Sequence, residues 1–137
     1  MNAPLLPRVV VAVSPELRPR IRAVLPAYEL RLVETGAELL RALDEERVDM
    51  LIIGVHFDES TAVAALERAL SAGELCPVVF VRGRKTVYGE RSMHALRMAL
   101  DELGAQYFID LLHYPNDALG NARVQAMLER LIDRVQT

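Results

Sequence analysis

Short apolar runs and amphipathic stretches alternate from one end of the chain to the other, and the two kinds differ in period. Arg8 to Val13 is a run of β-branched residues between Pro7 and Ser14, which suits a parallel strand buried on both faces. Leu17, Ile21, Val24 and Leu25 then fall on one helical face, and Pro19 is tolerable there only in the first turn. Tyr28, Leu30 and Leu32 alternate with Glu29 and Arg31 as a second strand. Thr35-Gly36-Ala37-Glu38 matches a capping box ahead of Leu39, Leu40 and Leu43. Asp49 to Gly54 is a third buried strand. Ser60 is an N-cap candidate for a helix carrying Val63, Leu66 and Leu70, with Gly73 beyond its end. Pro77 to Val81 predicts strand four, and a loop from Arg82 to about Glu90 leads to a helix with Leu96, Leu100 and Leu103, stopped by Gly104. Gln106 to Leu111 predicts strand five, and Asn116 or Asp117 caps a last helix bearing Val124, Leu128, Leu131 and Val135.

Five strands and five helices in strict alternation define an α/β fold. Right-handed crossovers favour a doubly wound parallel sheet of order 2-1-3-4-5 with helices on both faces and the functional crevice at the strand C-terminal ends. With 137 residues, 52% hydrophobic, the chain is sized for one domain (1–137, with 1–7 as an N-terminal tail). A net charge of -3 and a pI near 5.6 provide no basic field, so nucleic acid and anionic membranes are not expected partners. Cys76 stands alone, there is no charged leader followed by a long apolar stretch, and no apolar run approaches the roughly 20 residues of a membrane span, which together predict a cytoplasmic protein. The dominance of arginine, with Lys85 the one lysine, reads as the coding bias of a GC-rich bacterium.

Candidate chemistry is sparse. Arg82-Gly83-Arg84-Lys85, followed by Tyr88 and Arg91, can be read as an anion site in which guanidinium groups clasp a phosphate or carboxylate. An extended, solvent-facing loop that balances nearby acids explains the same charges. His56, His94, His113 and Cys76 have no ligand spacing, so no metal site is expected. There is no Ser/His/Asp arrangement, glycine-rich phosphate loop or Cys-x-x-Cys motif. Neither enzymatic activity nor a cofactor is expected.

The third strand, Asp49-Met50-Leu51-Ile52-Ile53-Gly54 with the loop Val55-His56-Phe57-Asp58-Glu59, resembles that of a bacterial response-regulator receiver domain. Pro77-Val78-Val79-Phe80-Val81 resembles the fourth receiver strand, and Gly104-Ala105-Gln106-Tyr107-Phe108 the entry to the fifth, so the likeness runs from about Arg8 to Arg134. It implies a phosphorylation site, and every part of that site is replaced. Val13 and Ser14 stand where receivers carry acids that hold magnesium, Gly54 where the phospho-acceptor aspartate stands, Arg82 where a hydroxyl is expected, and Leu111, beside Asp110, where a lysine is expected. Asp49 cannot inherit the acceptor role, being about 16 Å away along the strand at roughly 3.3 Å per residue. Asp58 is a remote candidate. Arg82 paired with Asp58 or Asp110 would fill the phosphoryl space and hold one conformation.

The resemblance thus implies a degenerate receiver, a phosphorylation-independent module for protein association, as a homodimer or docked to a signalling protein. Receivers associate through helix four, strand five and helix five. The matching surface here offers His94, Arg97, Met98 and Asp101 on the fourth helix, Phe108 on the strand, and Arg123, Met127 and Arg130 on the fifth helix. Nothing like a DNA-binding domain follows Thr137, so output is expected to pass through a partner chain. The alternative is a sensor of a small anion or nucleotide built on the Arg82–Lys85 loop.

Overall fold

Strands buried on both faces have no solvent side, and three strand sequences show it: residues 9–12, 50–53 and 78–81 are continuous apolar runs, whereas the strand of residues 29–32 alternates polar and apolar and is more exposed. The computed structural model describes residues 6–45, 47–54, 77–83, 98 and 107–136. Its strands are β1 (Arg8–Ala12), β2 (Glu29–Leu32), β3 (Met50–Gly54), β4 (Val78–Arg82) and β5 (Tyr107–Asp110), in one sheet of order β2-β1-β3-β4-β5. Every pairing is parallel, with Val9 against Leu30 and Met50, Leu51 against Val78, and Phe80 against Phe108.

Because side chains alternate across a strand, the sheet feeds two cores. Val9, Val11, Met50, Ile52, Val79, Val81 and Ile109 pack with Ile21 and Val24 of α1 (Arg18–Val24), with Leu25 just after it, and with Val124, Leu128 and Ile132 of α3 (Ala118–Gln136). On the other face Val10, Leu51, Ile53, Val78 and Phe80 pack with Leu39 and Ala42 of α2 (Gly36–Glu45). The helix expected over residues 60–73 lies outside the described residues, as does the one expected around residues 96–103 apart from Met98. Among those described, no helix is long and apolar enough to cross a membrane.

The element ends follow local chemistry. Pro19 falls in the first turn of α1, where its missing N–H costs nothing, and the irregular start is a 3-10 turn over Pro15–Leu17. The capping box forms with a shift: the Glu38 amide donates to Thr35 Oγ1 at 3.1 Å, while Glu38 Oε2 accepts from the amide of Glu34, one residue before the cap, at 3.0 Å. Of the two residues offered as caps for the last helix, Asn116 and Asp117, it is Asp117 that caps, accepting from the Gly120 amide at 2.8 Å.

The strand boundaries differ from expectation by a residue at several points, among them Tyr28, which stays outside β2. β1 closes at Ala12, and Val13 begins the turn. Asp49 stays outside β3 because its carboxylate accepts from the Arg8 amide at 2.8 Å and from Arg47 Nη2 at 3.2 Å, tying the strand entrances at the end of the sheet away from the crevice. β4 runs one residue later than Pro77–Val81: Pro77 has no amide to donate, and Arg82 pairs in register with Asp110. Leu111 leaves β5 for a 3-10 turn over Leu111–His113, because Asp110 Oδ1 accepts from the Leu112 amide at 3.0 Å and bends the chain there.

Candidate functional site

Parallel order brings the C-terminal ends of β1, β3, β4 and β5 to one edge of the sheet, where Val13, Gly54, Arg82 and Asp110 meet. Gly54 is buried beneath Val13. A Cβ on Gly54 would lie 3.3 Å from Val13 Cα and 3.4 Å from its Cγ1, so the ends of β1 and β3 are in direct contact here. Val13 is 1% exposed. An ionised carboxylate in this apolar contact would lose its hydration.

Leu17 closes the edge from the side. The turn that carries it is fixed by its own amide, which donates to Ser14 O at 3.0 Å. Its methyl groups lie over Gly83, just past β4, filling the space that any side chain at that position would need. Ser14 is half-buried in extended backbone and makes no capping bond with its hydroxyl.

Among the described residues, the charge at these strand ends is carried by a cross-strand pair. Arg82 Nη1 donates to Asp110 Oδ2 at 3.3 Å, with the two side chains only 13% and 15% exposed. The other Asp110 oxygen is taken by the Leu112 amide, and His113 Nε2 stands 3.7 Å from Asp110 Oδ2. Of the two acids weighed for Arg82, Asp110 is therefore the partner found; Asp58 lies outside the described residues. Arg82 Nε is buried with no acceptor among the described residues.

Leu111, at the expected lysine position, is buried at 1% exposure and offers the crevice no charge. Its carbonyl has a partner that the sequence pattern did not announce. Arg20 of α1 reaches across to donate from Nη1 to Leu111 O at 3.0 Å, from Nη2 to Tyr114 O and to Pro115 O (3.2 Å), and from Nε to Asn121 Oδ1 at 2.9 Å. Desolvation lowers the Arg20 pKa from its ordinary value, and the charge of Asp117 works the other way. Arg20 pins the chain between β5 and α3, and hence the turn next to Asp110.

Of the other candidates, Arg84, Lys85, His94, Arg97 and Asp101 lie outside the described residues, as do His56 and Cys76. Met98 is exposed, as is Arg123 on α3. Phe108 is half-buried against the second core. Met127 is also half-buried, packed on the first core, and its sulfur accepts the Tyr114 hydroxyl at 3.7 Å.

No protein-family model matches the chain, and no curated protein matches it. Solved structures do. The chain is similar to the signal receiver domain of a putative Luxo repressor protein from Vibrio parahaemolyticus, with TM-score 0.71 and 17% identity over 96% of this chain and 94% of that one. It is similar to the receiver domain of an HD domain-containing protein from Pseudomonas fluorescens Pf-5, with TM-score 0.74 and 13% identity over 99% and 93% of the two chains. A CheY-like receiver domain protein from Methanospirillum hungatei JF-1 matches with TM-score 0.68 and 16% identity over 96% and 97%. In strand order, helix placement and extent, the chain has the fold of the response-regulator receiver domains.

Proposed function

We propose that the chain is a cytoplasmic signalling or regulatory module of the receiver type that acts without phosphorylation, through a standing surface for protein association. The observation that carries this reading is the Arg82–Asp110 pair, which puts a fixed cation and a fixed anion at the strand ends where a phosphoryl group would have to be received. The surroundings support it. Gly54 has no nucleophile, Val13 covers it, and Leu111 supplies no charge to stabilise a transferring group. A domain in this state has no chemical input at the crevice, so its output surface is the one it folds with.

Sedimentation velocity over a concentration series, with and without acetyl phosphate and magnesium, tests the reading. The expected result is self-association, or capture of a partner protein, that is identical in the two conditions. Association that appears only with the phosphodonor would contradict it. The alternative, a small-anion or nucleotide sensor on the Arg82–Lys85 loop, ranks second because a ligand must first exchange with Asp110 at Arg82.

A further inference from the structure

We infer that Asp110 is the built-in occupant of a latent oxyanion site on Arg82, an autoinhibitory contact that keeps small anions out of the crevice. The inference deepens the reading of this site given above but does not depend on whether the crevice is inert to covalent phosphorylation. Three observations carry it. Arg82 is 13% exposed, so its charge is largely withdrawn from water and requires an anion. A guanidinium presents its N–H donors as a planar fork suited to two-point acceptors, yet Asp110 meets it through one oxygen at 3.3 Å, and Nε is buried without an acceptor among the described residues. Asp110 cannot turn to improve the fit, because Oδ1 is held by the Leu112 amide at 3.0 Å. A tetrahedral oxyanion such as phosphate or sulfate, free of that tether, can bridge Nε and an Nη group together. His113, 3.7 Å from the same Asp110 oxygen, is a further donor beside the place it would take.

The contact is released by Asp110→Asn, which removes the negative charge and keeps an oxygen for the Leu112 amide. Thermal unfolding is followed in inorganic phosphate and in chloride at matched ionic strength. The wild-type chain is expected to melt at the same temperature in both. D110N is expected to show a saturable rise of several degrees in phosphate, since a ligand bound only by the folded state stabilises it by mass action. The double variant R82Q/D110N is expected to lose that rise. Should D110N be unfolded in chloride, refolding on addition of phosphate that R82Q/D110N does not share is the same result. The inference is overturned if D110N responds to phosphate no more than the double variant, or if the wild-type chain already shows the full rise. Intact mass after acetyl phosphate treatment is a separate readout: a covalent adduct would overturn the proposed function and leave this inference standing.

Discussion

Arg20 and Arg82 are both guanidinium groups drawn off the surface, and they differ in what receives them. Arg82 meets a carboxylate on the neighbouring strand, so the pair could be anticipated once both residues were placed at strand C-terminal ends. Arg20 meets mainly backbone carbonyls of Leu111, Tyr114 and Pro115, and acceptors of that kind leave no trace in a side-chain pattern. Arg20→Gln is expected to cost roughly 1.5–3 kcal/mol, the range for hydrogen bonds to a charged group, read as a lower midpoint in urea at unchanged slope. Gly54→Asp is the natural attempt to restore an acceptor. It is expected to lower stability by about 1–3 kcal/mol through crowding against Val13 and, on the proposed reading, to gain no phosphoryl group from acetyl phosphate, because Val13 and Leu111 can neither hold a metal ion nor supply a cation. A G54D variant that takes up phosphate as a stable adduct would show that the neighbours matter less than the nucleophile.

At the level of elements, strands and helices were legible where burial on two faces, a cap or a proline set a local rule. The continuous apolar runs of β1, β3 and β4 and the cap residues Thr35 and Asp117 are cases of this. Boundaries were less so, because they depend on hydrogen bonds of single polar side chains that the apolar pattern does not register. Asp49 is bonded to Arg8 and so stands outside β3, and Asp110 turns Leu111 out of β5 by accepting its second neighbour's amide. Replacing either cap, Thr35→Ala or Asp117→Ala, is expected to cost about 1 kcal/mol, measured by chemical denaturation. The contact between the start of β2 and α3 has a pH signature. Burial, then the charges of Glu129 and Asp133, raise the Tyr28 pKa above its ordinary value. The folded state therefore holds the phenol proton more tightly than the unfolded chain. The resulting stability is fully present below about pH 10 and is lost as pH rises through the folded value. Tyr28→Phe is expected to flatten that alkaline limb, so that wild type loses more melting temperature than Y28F between neutral and strongly alkaline pH; parallel curves would refute the assignment.

For the whole molecule, two cores on one parallel sheet hold the strand ends in register, so whatever occupies the crevice is presented by a rigid frame. Leu128→Ala on α3, at a position 1% exposed, is expected to cost about 2–5 kcal/mol and to lower the melting temperature as one cooperative transition. That frame could be inferred from alternation alone; the closing of the crevice by Leu17 over Gly83 could not, because Leu17 reads equally well as one more apolar residue on a helical face. The central claim is that this frame encloses a site with an internal ion pair in place of phosphoryl chemistry. Intact mass spectrometry after incubation with acetyl phosphate and magnesium addresses it most directly. The account predicts an unchanged mass under conditions that fully label an active receiver domain run alongside; a stable gain of one phosphoryl group, mapped to any residue of the crevice, would contradict it.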